Sequence, residues 1–428
     1  MPDTPGPWKY TVTANFPTSV RTGELTCLPA KSGVHGPVRV ANGHHFAYVD
    51  GTPYFPFGTT CYCWTHQGEA LEEQTLATLK APPFNKIRMC LFSKSYQYNR
   101  NEPVYYPFQR PAGPNLTEPG DVTRFDPAYW THLEQRLTQL RDLNIEADLI
   151  LFHPYDRWGF AAMYTEADER YVRYLVARLA SFSNVWWSLA NEFDLMKSKT
   201  TADFTQRLHL VQQVDPYQHL LSIHYSKYMY DYASPAVTHA SLKTYEFSKA
   251  AEWLSEWRKP IVFDEAMYEG NLNSRWENLS GEEMTRRFWL GTVAGCYVTH
   301  GETFSPEPGS QPEEVIWWAN GGKLHGTSPA RIAFLRDLLE SVASTGLEGS
   351  PEPYYLNATC KTAILYFFDF HQPTEYEVPL GDHVYTAEVI DPWSMNSKPL
   401  PGTFTDKAKV VLPGKPYGAL LFRAATRS

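Results

Sequence analysis

The sequence predicts a mixed α/β fold, a (β/α)8 TIM barrel with a C-terminal β-sandwich and a short N-terminal β extension. Two observations carry this. Between residues 55 and 342, eight short apolar runs alternate with segments of helical period. Such alternation builds a parallel sheet, and eight strands close a barrel. After residue 346 the helical segments stop, and short strands follow one another with Gly and Pro between them, as in an all-β module. The length of 428 residues suits the pair, since a barrel takes about 250 residues or more. The boundaries fall at 1–42 for the extension, 43–346 for the barrel and 347–428 for the sandwich.

The extension holds three strand-like stretches, Trp8–Ala14, Gly23–Leu28 and Val38–Val40, too few for a complete sandwich. The eight apolar runs are Phe55–Trp64, Lys86–Phe92, Ala147–His153, Val185–Ala190, Leu220–Tyr225, Val237–Leu242, Ile261–Ala266 and Gly295–His300. Helices are expected over Pro127–Asn144, Thr165–Phe182, Thr201–Val214, Phe247–Arg258, Gly281–Val293 and Pro329–Val342. Within the first, Trp130, Leu133, Leu137 and Leu140 recur three and four apart, which makes one buried stripe. Cap residues open several: Asp126 before Pro127, Thr165 before Glu166, and Ser280. The fifth connection, Ser226–Ser234, carries no helical pattern. Beyond the barrel, strands are expected at Tyr354–Leu356, Thr362–Phe368, Thr374–Val378, Tyr385–Ile390, Lys409–Leu412 and Ala419–Phe422. Two long loops, Ser93–Phe125 and Thr303–Ser328, follow runs two and eight. On this fold they stand on the face where chemistry occurs.

Composition narrows the function. The chain has 38 Lys+Arg against 47 Asp+Glu, a net charge of −9, and no basic cluster. Nucleic acid is therefore not an expected partner, because phosphate binding needs clustered Lys and Arg. No apolar stretch reaches the roughly 18 residues that a membrane helix needs. Residues Met1–Pro5 show no secretory pattern, so a cytoplasmic protein with reduced cysteines is expected. Aromatic residues make up 15% of the chain. They serve either a large core or flat faces on which sugars or bases stack.

The chemistry stands at the ends of two runs. Run four continues as Ala190-Asn191-Glu192-Phe193-Asp194, and run seven as Phe263-Asp264-Glu265-Ala266. Burying a carboxylate costs several kcal/mol unless it is paired or used. In a closed barrel these two ends face each other across the mouth. Paired carboxyls suit glycosidic cleavage: one protonates the leaving oxygen, and the other attacks or activates water.

These residues resemble glycoside hydrolase clan A, in which an Asn-Glu ends strand four and a Glu ends strand seven. The wording Pro53-Tyr54-Phe55-Pro56-Phe57-Gly58-Thr59-Thr60, then Trp64, and Trp187-Ser188-Leu189-Ala190-Asn191-Glu192 is similar to the narrower apiosidase-like group. Members of that group often carry β-sandwich modules on both sides of the barrel. The resemblance implies a retaining mechanism with Glu192 as acid/base and Glu265 as nucleophile. It implies that Arg88 hydrogen-bonds the nucleophile and that Asn191 contacts the sugar 2-hydroxyl. His153, His224, Tyr225, His300 and Glu302 are candidate substrate contacts, as is Trp64. His239, in run six, is a further candidate. The clan often has Trp on strand eight, where this chain reads Tyr297-Val298-Thr299-His300. Trp317 or Trp318 is then expected to supply the sugar platform. Asp194 and Glu302 are extra acids near the rim, and either could serve an inverting scheme. No cofactor and no metal are expected: His300-Gly301-Glu302 lacks a second His at helical spacing. The expected partner is a carbohydrate substrate, handled by a retaining, exo-acting hydrolase of a β-linked or furanosidic glycoside. The rival readings are a non-catalytic carbohydrate-binding protein and an inverting hydrolase.

Overall fold

The structure is a computed structural model. It describes residues 4–15, 18–111, 117–305, 316–342, 346–350 and 357–425. The chain forms two compact units, Met1–Gly36 and Pro37–Ser428.

The first unit is a β-hairpin of Gly6–Asn15 and Thr18–Cys27, antiparallel along its full length. Its Thr and Val residues favour extended backbone. Gly23 stands opposite Tyr10, whose ring lies where a Cβ at that position would point, 2.4 Å away.

The second unit begins with a three-stranded antiparallel sheet of Val38–Ala41, His45–Tyr48 and Pro53–Tyr54. From it Phe46 packs on Trp186 and Tyr297, with ring centroids 5.0 and 5.3 Å away. This plugs the end of the barrel opposite the predicted site. The barrel strands are β1 (Phe57–Thr60), β2 (Lys86–Cys90), β3 (Glu146–Phe152), β4 (Val185–Ala190), β5 (Leu221–Ser222), β6 (Ala240–Ser241), β7 (Ile261–Phe263) and β8 (Tyr297–His300). All neighbours pair in parallel in the order β5-β4-β3-β2-β1-β8-β7-β6. A parallel bridge between His224 and Ser241 joins β5 to β6 and brings the ring to near closure. Each of the eight apolar runs contains one of these strands or most of it. Several runs outlast the ladder: their last residues leave it and turn into the loops above the barrel.

The helices pack outside. Pro127–Asp142 starts at Asp126, whose side chain accepts from the Ala128 amide. Thr201–Val214 starts at Thr200, which forms a reciprocal capping box with Asp203. Gly281–Val293 starts at Ser280, which accepts from the Glu283 amide. Such caps satisfy amides that the first turn leaves unpaired. Thr165–Leu179 differs from expectation: Tyr164 holds the cap position and makes no side-chain bond there. The remaining expected helices form as Ala250–Trp257, after one 3-10 turn, and Ser328–Val342. Ser226–Ser234 contains no helix.

An unexpected helix spans Glu69–Leu79. Its buried face includes Glu72 and Thr75 beside Leu76 and Leu79. Arg136 donates to Glu72 at 2.7 Å and so makes that polar face stable. The helix thus lacks the apolar stripe by which the others are recognised.

The C-terminal strands form one seven-stranded antiparallel sheet. The 17-residue strand Glu375–Asp391 shifts register around Gly381. Its first part pairs with Phe404–Val411, and its second with Ala419–Ala424 and Asn396–Pro399. The bend lets the sheet enclose its own core, with Val378, Leu380, Val410 and Phe422 inside. The module docks on the helix Gly281–Val293: Arg286 donates to both oxygens of Asp369, and Trp289 stacks on Phe367. The expected strand Tyr354–Leu356 lies outside the described residues. The six cysteines are free.

Candidate active site

Side chains alternate along a strand. Lys86 and Arg88 on β2 therefore both point into the barrel, where they meet Asp148 from β3 and Asp264, next after β7. Lys86 Nζ lies 2.7 Å from Asp148 and 2.9 Å from Asp264. Arg88 Nη1 lies 3.9 and 3.8 Å from the same two acids. Ser241 and Thr299 add hydrogen bonds to Asp264 at 2.6 and 2.8 Å. All four charged groups are buried. Burial pushes the Asp264 carboxyl up, yet Lys86 and Arg88 outweigh it and hold it well below the usual carboxylate range.

This charged layer supports the site above it. Arg88 Nη2 donates to Asn191 Oδ1 at 2.9 Å. That bond fixes which end of the amide is oxygen. It leaves Asn191 Nδ2 buried and without a protein partner among the described residues. The clan resemblance put Arg88 on the nucleophile; here its hydrogen bonds run to Asn191 and, at 3.5 Å, to Ser188. The group bonded to Glu265 is instead the Tyr62 hydroxyl, two residues past β1.

Glu192 and Glu265 come together. Glu192 follows β4 in a left-handed conformation, φ 51° and ψ 52°. Outliers of this kind gather at functional sites. Its carboxylate accepts from Tyr155 and from Lys243, which follows β6 by two residues. The same Lys243 ammonium lies 3.6 Å from Glu265 Oε2. One group thus reaches both carboxylates. Both Glu residues are 3% exposed. Burial works against the Lys243 charge, but Glu265 and Glu192 outweigh it, and its pKa is raised.

A second lysine stands behind them. Lys94 opens the first long loop and is buried. Its Nζ lies 3.7 Å from the centroid of Tyr62, 4.3 Å from Tyr155, 4.5 Å from Tyr96 and 5.2 Å from Trp318. Tyr62 and Tyr155 are the two phenols that donate to the carboxylates. Burial lowers the Lys94 pKa. The two long loops meet here, since Tyr96 and Tyr98 pack edge-on against Trp318. Trp318 thus stands beside the site, as does Tyr268, which packs on it at 5.1 Å.

Other expected residues stand elsewhere or carry other bonds. Trp64 is fully buried in the main core, and its indole points at Met89 Sδ, 3.3 Å away. It offers no open face to a sugar. Trp317 is buried too, donating to Thr59 at 2.8 Å. His153 is tied to the Phe92 carbonyl at 3.0 Å, and burial pushes its pKa down to about 3. His239 packs at the plugged end of the barrel, against Phe46 and Trp186. His224 is buried near Glu192 and Lys243, and burial holds its imidazole neutral. Its neighbour Tyr225 is buried against the Lys243 backbone.

His300 and Glu302 belong to a loop anchor. Glu302 accepts from the His325 and Gly326 amides, at 2.5 and 2.9 Å. Its bridge partner Glu269 accepts from Thr327 and Ser328. His300 Nε2 lies 3.9 and 4.0 Å from these carboxylates. Three donors gather as they would around a cation. Their oxygens, however, are already taken by amides and a hydroxyl, and a Cβ on Gly326 would sit 2.4 Å from Glu269. Asp194 likewise accepts from the amides of Ser226, Lys227 and Tyr228, at 2.6 to 3.0 Å. It shapes the helix-free fifth connection.

Comparison with known proteins accords with this arrangement. Residues 40–343 match the family model described as "Apiosidase-like, catalytic domain". Residues 353–423 match a domain of unknown function. No curated protein matches the chain. A proposed glycoside hydrolase from Bacteroides vulgatus ATCC 8482 is 38% identical, with a TM-score of 0.91, covering 99% of this chain and 89% of its own. A family 5 glycoside hydrolase from the same organism has 13% identity and a TM-score of 0.67, over 91% of this chain and 94% of its own. A family 5 mannosidase from Rhizomucor miehei, solved with mannosyl-fructose, has 13% identity and a TM-score of 0.51, over 72% and 98%. The last two show the fold alone. Fold, paired carboxyls and relatives together define a glycoside hydrolase of the clan A-like barrel type, acting on carbohydrate. Within that class, the chain belongs to the apiosidase-like family.

Proposed function

We propose that the protein is a retaining, exo-acting glycosidase with Glu265 as nucleophile and Glu192 as acid/base. The observation that carries this is the single ammonium of Lys243 touching both carboxylates. It keeps one oxygen of each carboxylate within about 6 Å of the other, which suits the close carboxyl pair of retaining enzymes, about 5–5.5 Å apart. The inverting alternative also loses its bases, because Asp194 and Glu302 spend their oxygens on backbone amides.

In the first step Glu265 attacks the anomeric carbon, and Glu192 gives its proton to the departing glycosidic oxygen. In the second, water attacks the same carbon, Glu192 takes its proton, and the bond to Glu265 breaks. Tyr62 steadies the Glu265 carboxylate. Asn191, oriented by Arg88, keeps Nδ2 for a sugar hydroxyl, and Trp318 and Tyr268 wall the sugar. Exo action is supported by the contact of Tyr96 and Tyr98 with Trp318, which joins the two long loops beside the pair, and by the burial of both carboxylates. The family description favours a furanoside such as an apioside, with arabinofuranosides, galactofuranosides and pyranosides as the comparison set.

The test is Glu265→Ala on whichever aryl glycoside the parent cleaves in that set. Turnover is expected to fall by orders of magnitude and to return with azide, giving a glycosyl azide of inverted configuration. Normal activity in the variant, or an inverted sugar from the parent, would refute the assignment.

A further inference from the structure

We infer that Lys243 is a displaceable clamp: in the ligand-free protein its ammonium occupies the place of the sugar's reacting carbon, and substrate must drive it out. This rests on the glycosidase reading of the two carboxylates. It goes further by assigning the lysine a position in the cycle.

The geometry gives the reason. A retaining mechanism needs the anomeric carbon between nucleophile and acid/base, and that carbon becomes positively charged in the transition state. The Lys243 ammonium touches Glu192 and lies 3.6 Å from Glu265, so it fills that gap with a positive charge of its own. Substrate and ammonium cannot share the space. Of the three side chains only Lys243 has a way out: it is 19% exposed, while each Glu side chain is 4% exposed. It follows β6 on a loop, and four flexible methylenes let its head leave without moving the backbone. The Trp276 ring, 5.4 Å from Nζ, gives the cation a face to lean on.

The groups around Lys243 favour the same reading. Glu192 and Glu265 reach it from β4 and β7; His224 and Tyr225 follow β5; Trp276 lies in the loop after β7; Tyr155 and Tyr62 stand behind the two carboxylates. His224, Tyr225, Tyr155 and Tyr62 stay neutral through burial. The two carboxylates are therefore the acids against which the ammonium balances. Lys94 cannot stand in for it, being caged by four rings behind the tyrosines.

The experiment has an arm without turnover and an arm with it. In the first, the ligand-free protein is acylated with N-acetoxysuccinimide, and each lysine's rate is read by peptide mass spectrometry. Lys243 is expected to react at least about ten times more slowly than exposed Lys227 and Lys407, as an ion-paired and mostly buried amine should. In the Glu192→Gln/Glu265→Gln variant it is expected to speed up by about the same factor. Equal rates in the parent, or no gain in the variant, overturn the clamp. In the second arm, Lys243→Met and Lys243→Arg are compared with the parent on the aryl glycoside it cleaves. The Met variant is expected to lower KM several-fold, because substrate no longer displaces a cation; the Arg variant is expected to keep or raise KM. A raised KM in the Met variant would make Lys243 an ordinary substrate contact and overturn displacement. A parent that cleaves no glycoside would end the glycosidase reading, while the acylation arm would still decide where the ammonium sits.

Discussion

The charged layer beneath the site offers a quantitative test through Asp264→Asn. Asp264 is buried and takes hydrogen bonds from Lys86, Ser241 and Thr299 at 2.9, 2.6 and 2.8 Å. Lys86, Arg88, Asp148 and Asp264 balance to zero. Removing one carboxylate leaves two buried cations facing Asp148 alone, and Asn, with one oxygen and one NH2, presents N–H groups either to Ser241 or to Lys86 and Thr299, each of which needs an acceptor. Breaking a buried pair in this way costs about 3–5 kcal/mol. At roughly 2–4 °C per kcal/mol, Tm should fall by about 6–20 °C. Glu24→Gln is the control, because its exposed pair with Lys9 is worth at most about 1 kcal/mol. The effect also has a pH signature. The Asp264 carboxyl sits well below the usual carboxylate range, so its stabilisation is present above its unfolded pKa and disappears as pH falls through the folded value. The gap between parent and variant should be constant above about pH 5 and shrink in stronger acid. Adding Lys86→Met should recover part of the loss by restoring balance. Calorimetry with urea unfolding decides. A loss below about 1 kcal/mol, or a double variant weaker than the two single losses combined, would refute this account of the layer.

Three further predictions concern Glu146, Tyr155 and Asp194. Burial pushes the Glu146 carboxyl up to about 8, with the Trp186 indole and Arg39 working against it; the fold should therefore lose up to about 1.4 kcal/mol per pH unit between roughly pH 4.5 and 8, and Glu146→Gln should flatten that slope in a Tm-against-pH series. Tyr155→Phe removes the phenol from Glu192; at about 1.5–3 kcal/mol for a hydrogen bond to a charged group, kcat/KM should drop roughly 10- to 150-fold with Tm little changed. Asp194→Ala frees three amides of the fifth connection; it should cost about 1–3 kcal/mol of stability and leave the product anomer, read by NMR, as in the parent.

The sequence made some parts of this plain and concealed others, for physical reasons. Glu192 and Glu265 could be read because a carboxylate at the end of an apolar strand is costly and so demands a purpose. The helix Pro127–Asp142 could be read because Trp130, Leu133, Leu137 and Leu140 make an apolar stripe on its buried side, beside Arg136, and its start is capped. Glu69–Leu79 could not, since its buried side carries Glu72, satisfied by an arginine 64 positions away. Lys243 was missed although the argument that found Glu265 applies to it: it directly follows the apolar run Val237–Leu242. Tyr62, Lys94 and Tyr155 lie two or more residues past the strands that deliver them, where sequence gives reach but not direction. Trp64 follows β1, where a tryptophan serves equally as core or platform, and only the packing against Met89 decides for the core. His300 and Glu302 stand at and just after the end of β8, where a site residue is expected, yet Glu302 is taken by the amides of His325 and Gly326, and His300 faces Thr59, Glu269 and Glu302.

Precision here comes from the ring rather than from the loops. Each charge in the lower layer comes from a different strand or strand end, apart from Lys86 and Arg88, which share β2. The parallel registers, such as Asp148 opposite Arg88, therefore fix the distances before any loop is placed. The layer carries no net charge. What it transmits is position, through Arg88 to Asn191 and so to the backbone that holds Glu192. The groups nearest the carboxylates come instead from loops: Tyr62, Lys94, Tyr155 and Lys243. A rigid floor with a changeable roof explains how one barrel can keep its cleavage chemistry while substrate choice is left to residues that no strand pattern dictates. In this protein the roof carries two ammonium groups, one caged and one able to leave, and the second makes an empty site resemble a filled one.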